Sequence, residues 1–397
     1  MKITSLPIHF LAVISFLLCG TLLNAQEHSV AEANDEGPVN TQQEITDYTN
    51  HHLKDSHDFH LFSYQGSDGE RHSVGFSLPV IVWSNVKNQP VAFMSSEFHH
   101  DINGEVVVEK GGSRFVNLHD KIYELEEGAE EVVMGEDHHP VNAHKPFDLS
   151  ITKSVFGILL VGLLLLFWFG SLGKQYKKKS IPTGFGRALE PLVIYVRDEI
   201  ARPNIGEHKY RKYMSFLLTV FFFIWVSNLL GMTPFGFNIT GQIAVTVCLA
   251  LFTFFIVQFS GNKDYWKHIF WMPDVPVIMK IILIPIEVLG MLTKPFSLLI
   301  RLFANITAGH VVVMGLIALM ITLKAQFGAV GSTGLSLVLT LFISVIEILV
   351  AFLQAFIFTM LSALFIGMAV AEHDHHHEHD EEGHEVDDVE DVRESFV

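Results

Sequence analysis

The sequence predicts an all-α polytopic membrane protein: five spanning helices, one interfacial amphipathic helix, and a small β-rich domain towards the N-terminus. Three observations predict it. Of the 397 residues, 49% are hydrophobic, and many are gathered into apolar runs long enough to cross ~30 Å of hydrocarbon. The net charge of −17 is unevenly placed. Residues 26–150 carry 23 acids against 7 bases and residues 372–397 carry 12 against 1, so the apolar stretch between them is basic. Between residues 58 and 148 the long runs give way to short apolar stretches punctuated by Gly and Pro, a strand pattern. No basic patch interleaved with aromatics argues for nucleic acid.

Residues 1–25 read as a secretory signal, with Lys2, an apolar stretch over 6–23 and Ala25 before Gln26. Leu23 is large for its place in such a cleavage site, and Leu18 before Cys19 departs from a lipoprotein signal. Cys19 and Cys248 are the only cysteines, too few for a disulfide framework. Residues 26–57 are polar, acidic and poor in aromatics, the composition of a disordered segment. The domain at 58–148 is expected to hold strands at 59–64, 74–83, 91–94 and 105–109, separated by Gly66, Gly69, Pro90, Gly104 and Gly111-Gly112. The pairs His51-His52, His99-His100 and His138-His139, with six histidines in the tail, raise a rival reading: a His-rich membrane metal-ion carrier or scaffold. They lack cysteines and regular ligand spacing, so no metal site and no cofactor is predicted.

The membrane module is expected over 149–371. Residues 155–172 form the first span, and Lys174, Lys177, Lys178 and Lys179 follow at once. The positive-inside rule puts those lysines in the cytoplasm and the β-rich domain outside, in agreement with the signal segment. Over 187–201, Leu189, Leu192, Val193, Tyr195 and Val196 alternate with charges, as in a helix lying in the inner interface, with Glu190 and Asp198 on its solvated face. Arg211 and Lys212 precede a span at 214–232. Residues 233–236 turn, and 243–259 returns to a loop with Lys263 and Lys267. The last two helices, 277–323 and 332–370, exceed the ~20 residues of a perpendicular span, so a tilted or bent hairpin is expected. Pro285, Gly290 and Pro295 can supply the bends. Five crossings leave the tail at 372–397 inside; it is acidic, His-rich and of a disordered composition.

The chemistry lies in the hairpin. Arg301 has apolar sequence for several turns on both sides, too far from either end to reach the headgroups easily. A charge near the bilayer centre costs at least ~2.5–3.5 kcal/mol, so such an arginine signals function. At ~100° per residue, Glu287, Lys294, Arg301 and Asn305 fall in a stripe roughly 40° wide on a straight helix. The following helix carries Ser344, Glu347 and Gln354, the last two again two turns apart on one face. Two polar seams facing each other describe an ion path rather than a core. There is no Gly-x-x-x-x-Gly-Lys-[Ser/Thr] phosphate loop, so the chain carries no nucleotide-hydrolysing signature.

Lys294-Pro-x-Ser-x-x-x-Arg301-Leu-Phe-x-Asn305-x-x-Ala-Gly309, with Glu347 and Gln354 on the next helix, closely resembles subunit a of the F-type ATP synthase. The similarity runs from Lys153 to about Val370 and includes 190–206 and 228–234. The resemblance implies a non-catalytic stator subunit of a bacterial inner membrane, working with the c-subunit ring, the b-subunit stator stalk and the rest of the synthase. It implies that Arg301 is essential for proton transfer with the ring carboxylates. It places Asn305, His310, Glu347 and Gln354 along the outward proton pathway and Glu287 near the inward one. Many bacterial relatives carry an acid at the position of His310 and a histidine at that of Glu347, so this chain resembles the exchanged arrangement.

Overall fold

The structure, a computed structural model, describes residues 55–65, 71–99, 101, 103–129, 131–135, 140–177, 184, 186–233, 237–271 and 276–371. The signal segment, most of the acidic segment, Lys178, Lys179, the turn residues 234–236 and the His-rich tail lie outside these, as do the pairs at 51–52 and 138–139 and His100.

The strand-rich part holds β1 (Asp58–Gln65), β2 (Arg71–Ser77), β3 (Pro79–Ser84), β4 (Gln89–Met94), β5 (Asn103–Lys110), β6 (Ser113–Leu118), β7 (Lys121–Leu125), β8 (Ala143–His144) and β9 (Phe147–Asp148). β1 and β2 pair as a hairpin, β4-β3-β9 form one antiparallel sheet, and β5-β6-β7-β8 another. Period-two alternation turns Val80, Val82, Val91 and Phe93 of one sheet towards Val108, Phe115 and Ile122 of the other, and these form one apolar core.

The sequence reading missed β6 and β7 and ran β2 and β3 together across Leu78. The β6–β7 hairpin turns on His119 (φ 52°) and Asp120 (φ 63°), a two-residue turn built without the Gly or Asn that marks such turns. Glu124 of β7 is fully buried. Its Oε1 accepts from the Ser84 hydroxyl and its Oε2 from the Asn85 amide at 2.7 Å.

Asp55, Ser56 and His57, grouped by sequence with the acidic segment, form the joint to the helices. The Asp55 carboxylate accepts from the Ser154 amide at 2.9 Å, and the Ser56 carbonyl accepts from that of Lys153 at 3.0 Å. Together with the Thr152 side chain, they satisfy free N–H groups at the start of α1 (Lys153–Tyr176). His57 Nε2 lies 3.3 Å from Asp148 Oδ2. Burial pushes the Asp148 carboxyl up, but hydrogen bonds from His57 and Ser150 outweigh it and hold it at about 2. Phe76 meets Phe156 of α1 edge-on, and Phe156 stacks on Phe237, which fixes the strands to the helices.

After α1 come α2 (Gly186–Tyr195), a π-helical turn (Val196–Ala201), α3 (Arg202–Ile205), α4 (Tyr210–Gly231), α5 (Ile243–Ser260), α6 (Lys263–Phe270), α7 (Val277–Thr322) and α8 (Lys324–Val370). Among the described residues, five helices are long and apolar enough to cross a membrane. Leu163, Phe167, Phe259, Ile278 and Val338 stand exposed on them, as lipid-facing side chains do. α6 corrects the expected loop at Lys263 and Lys267; eight residues are too few to show a clear period in sequence. α8 begins eight residues earlier than expected, across a break at Gly328. Val196, Ile200 and Ala201 are fully buried, while Asp198 on the other side is forked by Arg197 (2.8 and 2.9 Å) and bonded by Arg202 (3.0 Å).

α4 and α8 form the centre: Leu217, Phe221, Phe222 and Ile224 pack with Ala355, Phe358, Ala363 and Ile366, and Leu298 and Leu302 of α7 join them. At Gly367 a Cβ would sit 1.9 Å from the Asn204 carbonyl oxygen, so only glycine lets α8 pass α3 there. The Val370 carbonyl accepts from Lys209 Nζ (2.8 Å) and Asn262 Nδ2 (2.9 Å), which close the end of α8. This end lies beside the start of α4, whereas Phe237, past the end of α4, lies against α1 below the strands. The N-terminal half of α8 is therefore on the side of the β domain.

Candidate functional site

α7 and α8 run antiparallel, and their polar seams meet. Asn305 Nδ2 donates to Gln354 Oε1 at 2.7 Å, joining two residues 49 apart in sequence. Gln354 is only 1% exposed, and its Nε2 has no partner among the described residues. One turn along α7, Arg301 is half-buried between the packed Leu298–Leu302 face and the open side of the helix. Among the described residues it makes no ion pair. A guanidinium in an apolar segment without a counter-ion is costly.

Two turns towards the β-domain side, Glu347 lies across α7 at Gly309, where a Cβ would stand 2.7 Å from Glu347 Oε1. Glycine here leaves the space the carboxylate occupies. Glu347 Oε1 is buried without a partner among the described residues. His310 follows Gly309 in the same helix, and its side chain lies outside the described residues. Glu287 and Lys294 sit towards the opposite end, where Lys294 Nζ lies 5.3 Å from the Phe365 ring centroid and lines a small cleft with Thr253, Gln258 and Pro295. The structure thus joins Asn305 to Gln354 and sets Glu347 at α7, and leaves Glu287 about 21 Å from Arg301 along the helix.

The motif in the sequence contains Gly309 but gives no sign that it makes room for Glu347. Sequence reasoning missed Ser332, Ser336 and Thr340, which with Ser344 form the buried side of α8 between 330 and 349 among the described residues and whose signal is a hydroxyl at every fourth position. Among the described residues no group of three His, Cys, Asp or Glu side chains comes together as a metal site would require.

A family model described as ATP synthase A chain matches residues 155–367. The chain belongs to the ATP synthase A chain family. A relative from Chlorobaculum tepidum, named ATP synthase subunit a 2, is 46% identical over 261 residues, covering 64% of this chain and 71% of the relative. One from Chlorobium phaeobacteroides, named ATP synthase subunit a, is 48% identical over 237 residues, covering 58% and 68%. A Myxococcus xanthus protein of the same name is 45% identical over 234 residues, covering 57% and 75%. The A chain match includes the whole seam from Glu287 to Gln354. A separate model, described as a domain of unknown function, matches residues 48–149, which hold the strands.

Proposed function

We propose that this chain is the proton-translocating stator subunit of an F-type ATP synthase, with two half-channels separated by Arg301. The observation that carries it is the Asn305–Gln354 hydrogen bond, which brings the two seams together one turn from an arginine with no counter-ion among the described residues. The counter-ion is supplied by the ring: each c subunit brings one carboxyl group past Arg301. Facing lipid, that group keeps its proton, because a bare carboxylate is expensive in hydrocarbon. Beside the guanidinium the anion is favoured, and the proton leaves into one half-channel. The fixed cation repels a proton crossing directly, so only rotation of the ring joins the two sides. Each crossing contributes roughly 2.3 kcal/mol per 100 mV of membrane potential.

Asn305, His310, Glu347 and Gln354 line the outward half-channel, on the side of the β domain, and Glu287 stands near the inward one. The membrane is a bacterial inner membrane, the strands face outward, and the tail lies in the cytoplasm, a reading that Lys174 and Lys177 at the end of α1 support through the positive-inside rule. The b-subunit stalk holds this subunit still. Arg301→Ala is the test. ATP-driven proton pumping in inverted vesicles should vanish while passive leak persists or rises. Arg301→Lys should fail to restore coupling, since a compact ammonium does not reproduce the planar, permanently charged fork. Coupled pumping by either variant would refute the assignment.

A further inference from the structure

The two sheets of the strand-rich part differ in what lies over their outer faces. In the β5-β6-β7-β8 sheet, Val116, Leu125 and Ala143 point away from the shared core and are still buried, because Ala129 and Val132 of the segment after β7 pack against them. The β4-β3-β9 sheet keeps its outer face open. The alternation that buries Val80 and Val82 turns Pro79, Ile81 and Trp83 outward, opposite Met94, Ala92 and Pro90 of β4. Phe147 pairs with Trp83 from the other side, and Leu149 continues its row, its amide donating to the Ile81 carbonyl at 2.8 Å. Trp83, Met94, Phe147 and Leu149 are between 41% and 66% exposed. No position on this face is charged, and its one hydrogen-bonding side-chain group, the Trp83 indole N–H, donates to Asn88 Oδ1 at 3.1 Å.

The chemistry of the face says which neighbour fits it. A protein partner's contact surface, taken whole, is about as apolar as ordinary surface and carries hydrogen bonds throughout. A face of Trp, Phe, Met and Leu that offers none matches a surface turned to lipid. Continuity is the second argument. The row Phe147, Leu149, Ile151 runs at strand spacing up to Thr152, the N-cap of α1. An exposed apolar row resumes at Val155, Leu159, Leu163 and Phe167 at helical spacing, and it is the lipid-facing side of α1. Leu149 stands at most ~13 Å along the chain from Val155, two strand residues and one helical turn.

We propose that the outer face of the β4-β3-β9 sheet lies on the phospholipid surface around α1, with Trp83, Met94, Phe147 and Leu149 at the boundary between headgroups and acyl chains. The strand-rich domain is then a membrane-surface module, bound to the leaflet that α1 enters at Lys153. The inference needs α1 to span the membrane and does not rest on the channel reading. A sheet lying over the headgroups brings all four side chains to lipid, whereas one standing upright holds Trp83 and Phe147 in water.

Fluorescence in the assembled synthase separates these arrangements. In a background lacking Cys19 and Cys248, Phe147→Cys and Met94→Cys each carry an environment-sensitive fluorophore, and Glu109→Cys, at an exposed position of the other sheet, is the control. In phosphatidylcholine vesicles with a nitroxide high on the acyl chain, emission from positions 147 and 94 should shift to the blue and lose most of its intensity. Emission from position 109 should lose little. Either test position suffices if the other variant does not assemble. Adding Phe147→Asp should release the fluorophore at position 94 from the nitroxide, with the protease resistance of the strand-rich domain unchanged.

Quenching at 147 and 94 no stronger than at 109 overturns the proposal. If the unlabelled thiols there also resist a water-soluble maleimide, a protein chain covers the face instead. If they react freely, the face stands in water. Quenching at position 94 that survives Phe147→Asp also overturns it, since the label alone then seeks the lipid.

Discussion

Two glutamates with buried carboxylate oxygens, one in each part of the molecule, are treated in opposite ways. Glu124, inside the strand-rich domain, has both carboxylate oxygens taken, by the Ser84 hydroxyl and the Asn85 amide. Glu347, in the seam between α7 and α8, has an oxygen with no partner among the described residues. Burial of an oxygen alone therefore does not say how a carboxylate is used. A carboxylate whose hydrogen bonds are complete fixes loops in place, and one left incomplete can still take a further partner.

The comparison is broken most directly by removing each charge in turn. Glu347→Gln should lower proton transport by about two orders of magnitude or more, the usual scale for a proton-relaying side chain, with the assembled complex still present in normal amount. Glu124→Gln should leave transport intact and destabilise the strand-rich domain by about 1–3 kcal/mol, because the new amide can turn a donor towards a donor. Transport in inverted vesicles and protease resistance of the strand-rich domain give the two readouts. Reversed results would end the distinction.

A smaller effect sharpens the seam's side of it. If the outward path needs one imidazole and one carboxylate, and not a particular helix for each, His310→Glu and Glu347→His should each impair transport several-fold. The double variant should recover a substantial part. Equal or additive loss in the double variant would show that the two groups act separately.

The smallest effect concerns the joint. Asp148 is held at about 2, below its ordinary 3.8, so its partners favour the charged form. Its contribution is complete above about pH 4 and is lost as the pH falls through about 2, and the shift corresponds to roughly 2 kcal/mol. Protease resistance of the strand-rich domain should therefore fall between pH 4 and pH 2. Asp148→Asn should remove that part of the pH dependence, and an unchanged profile would show that the His57–Asp148 contact carries no stability.

What the sequence made legible follows the strength of each physical signal. The spanning helices announce themselves because hydrocarbon demands some twenty apolar residues, and Arg301 stands out because it violates that demand. The strands at 113–118 and 121–125 were hidden by a His119-Asp120 turn, and α6 by its brevity. In the seam, Asn305 and Gln354 were visible as polar residues, but their contact depends on the register of two helices, which no local pattern sets. Gly309 stood in the motif without its role, and Ser332, Ser336 and Thr340 were passed over, because glycine, serine and threonine are unremarkable in membrane helices and only the neighbour each faces gives it meaning.

The closure of α8 at one end has a mechanical meaning. Its last turns are wedged by Gly367 against Asn204, tied at Val370 by Lys209 and Asn262, and buried through Ala355, Phe358, Thr359, Ser362, Ala363 and Ile366. The opposite half is buried along a single stripe and begins at the break by Gly328. Such a helix is a beam clamped at one end. A sideways load bends a clamped beam least near the clamp and most at the free end. Under such a load Gln354 would hold its distance to Asn305, and the stretch of α8 beyond Glu347 would yield first.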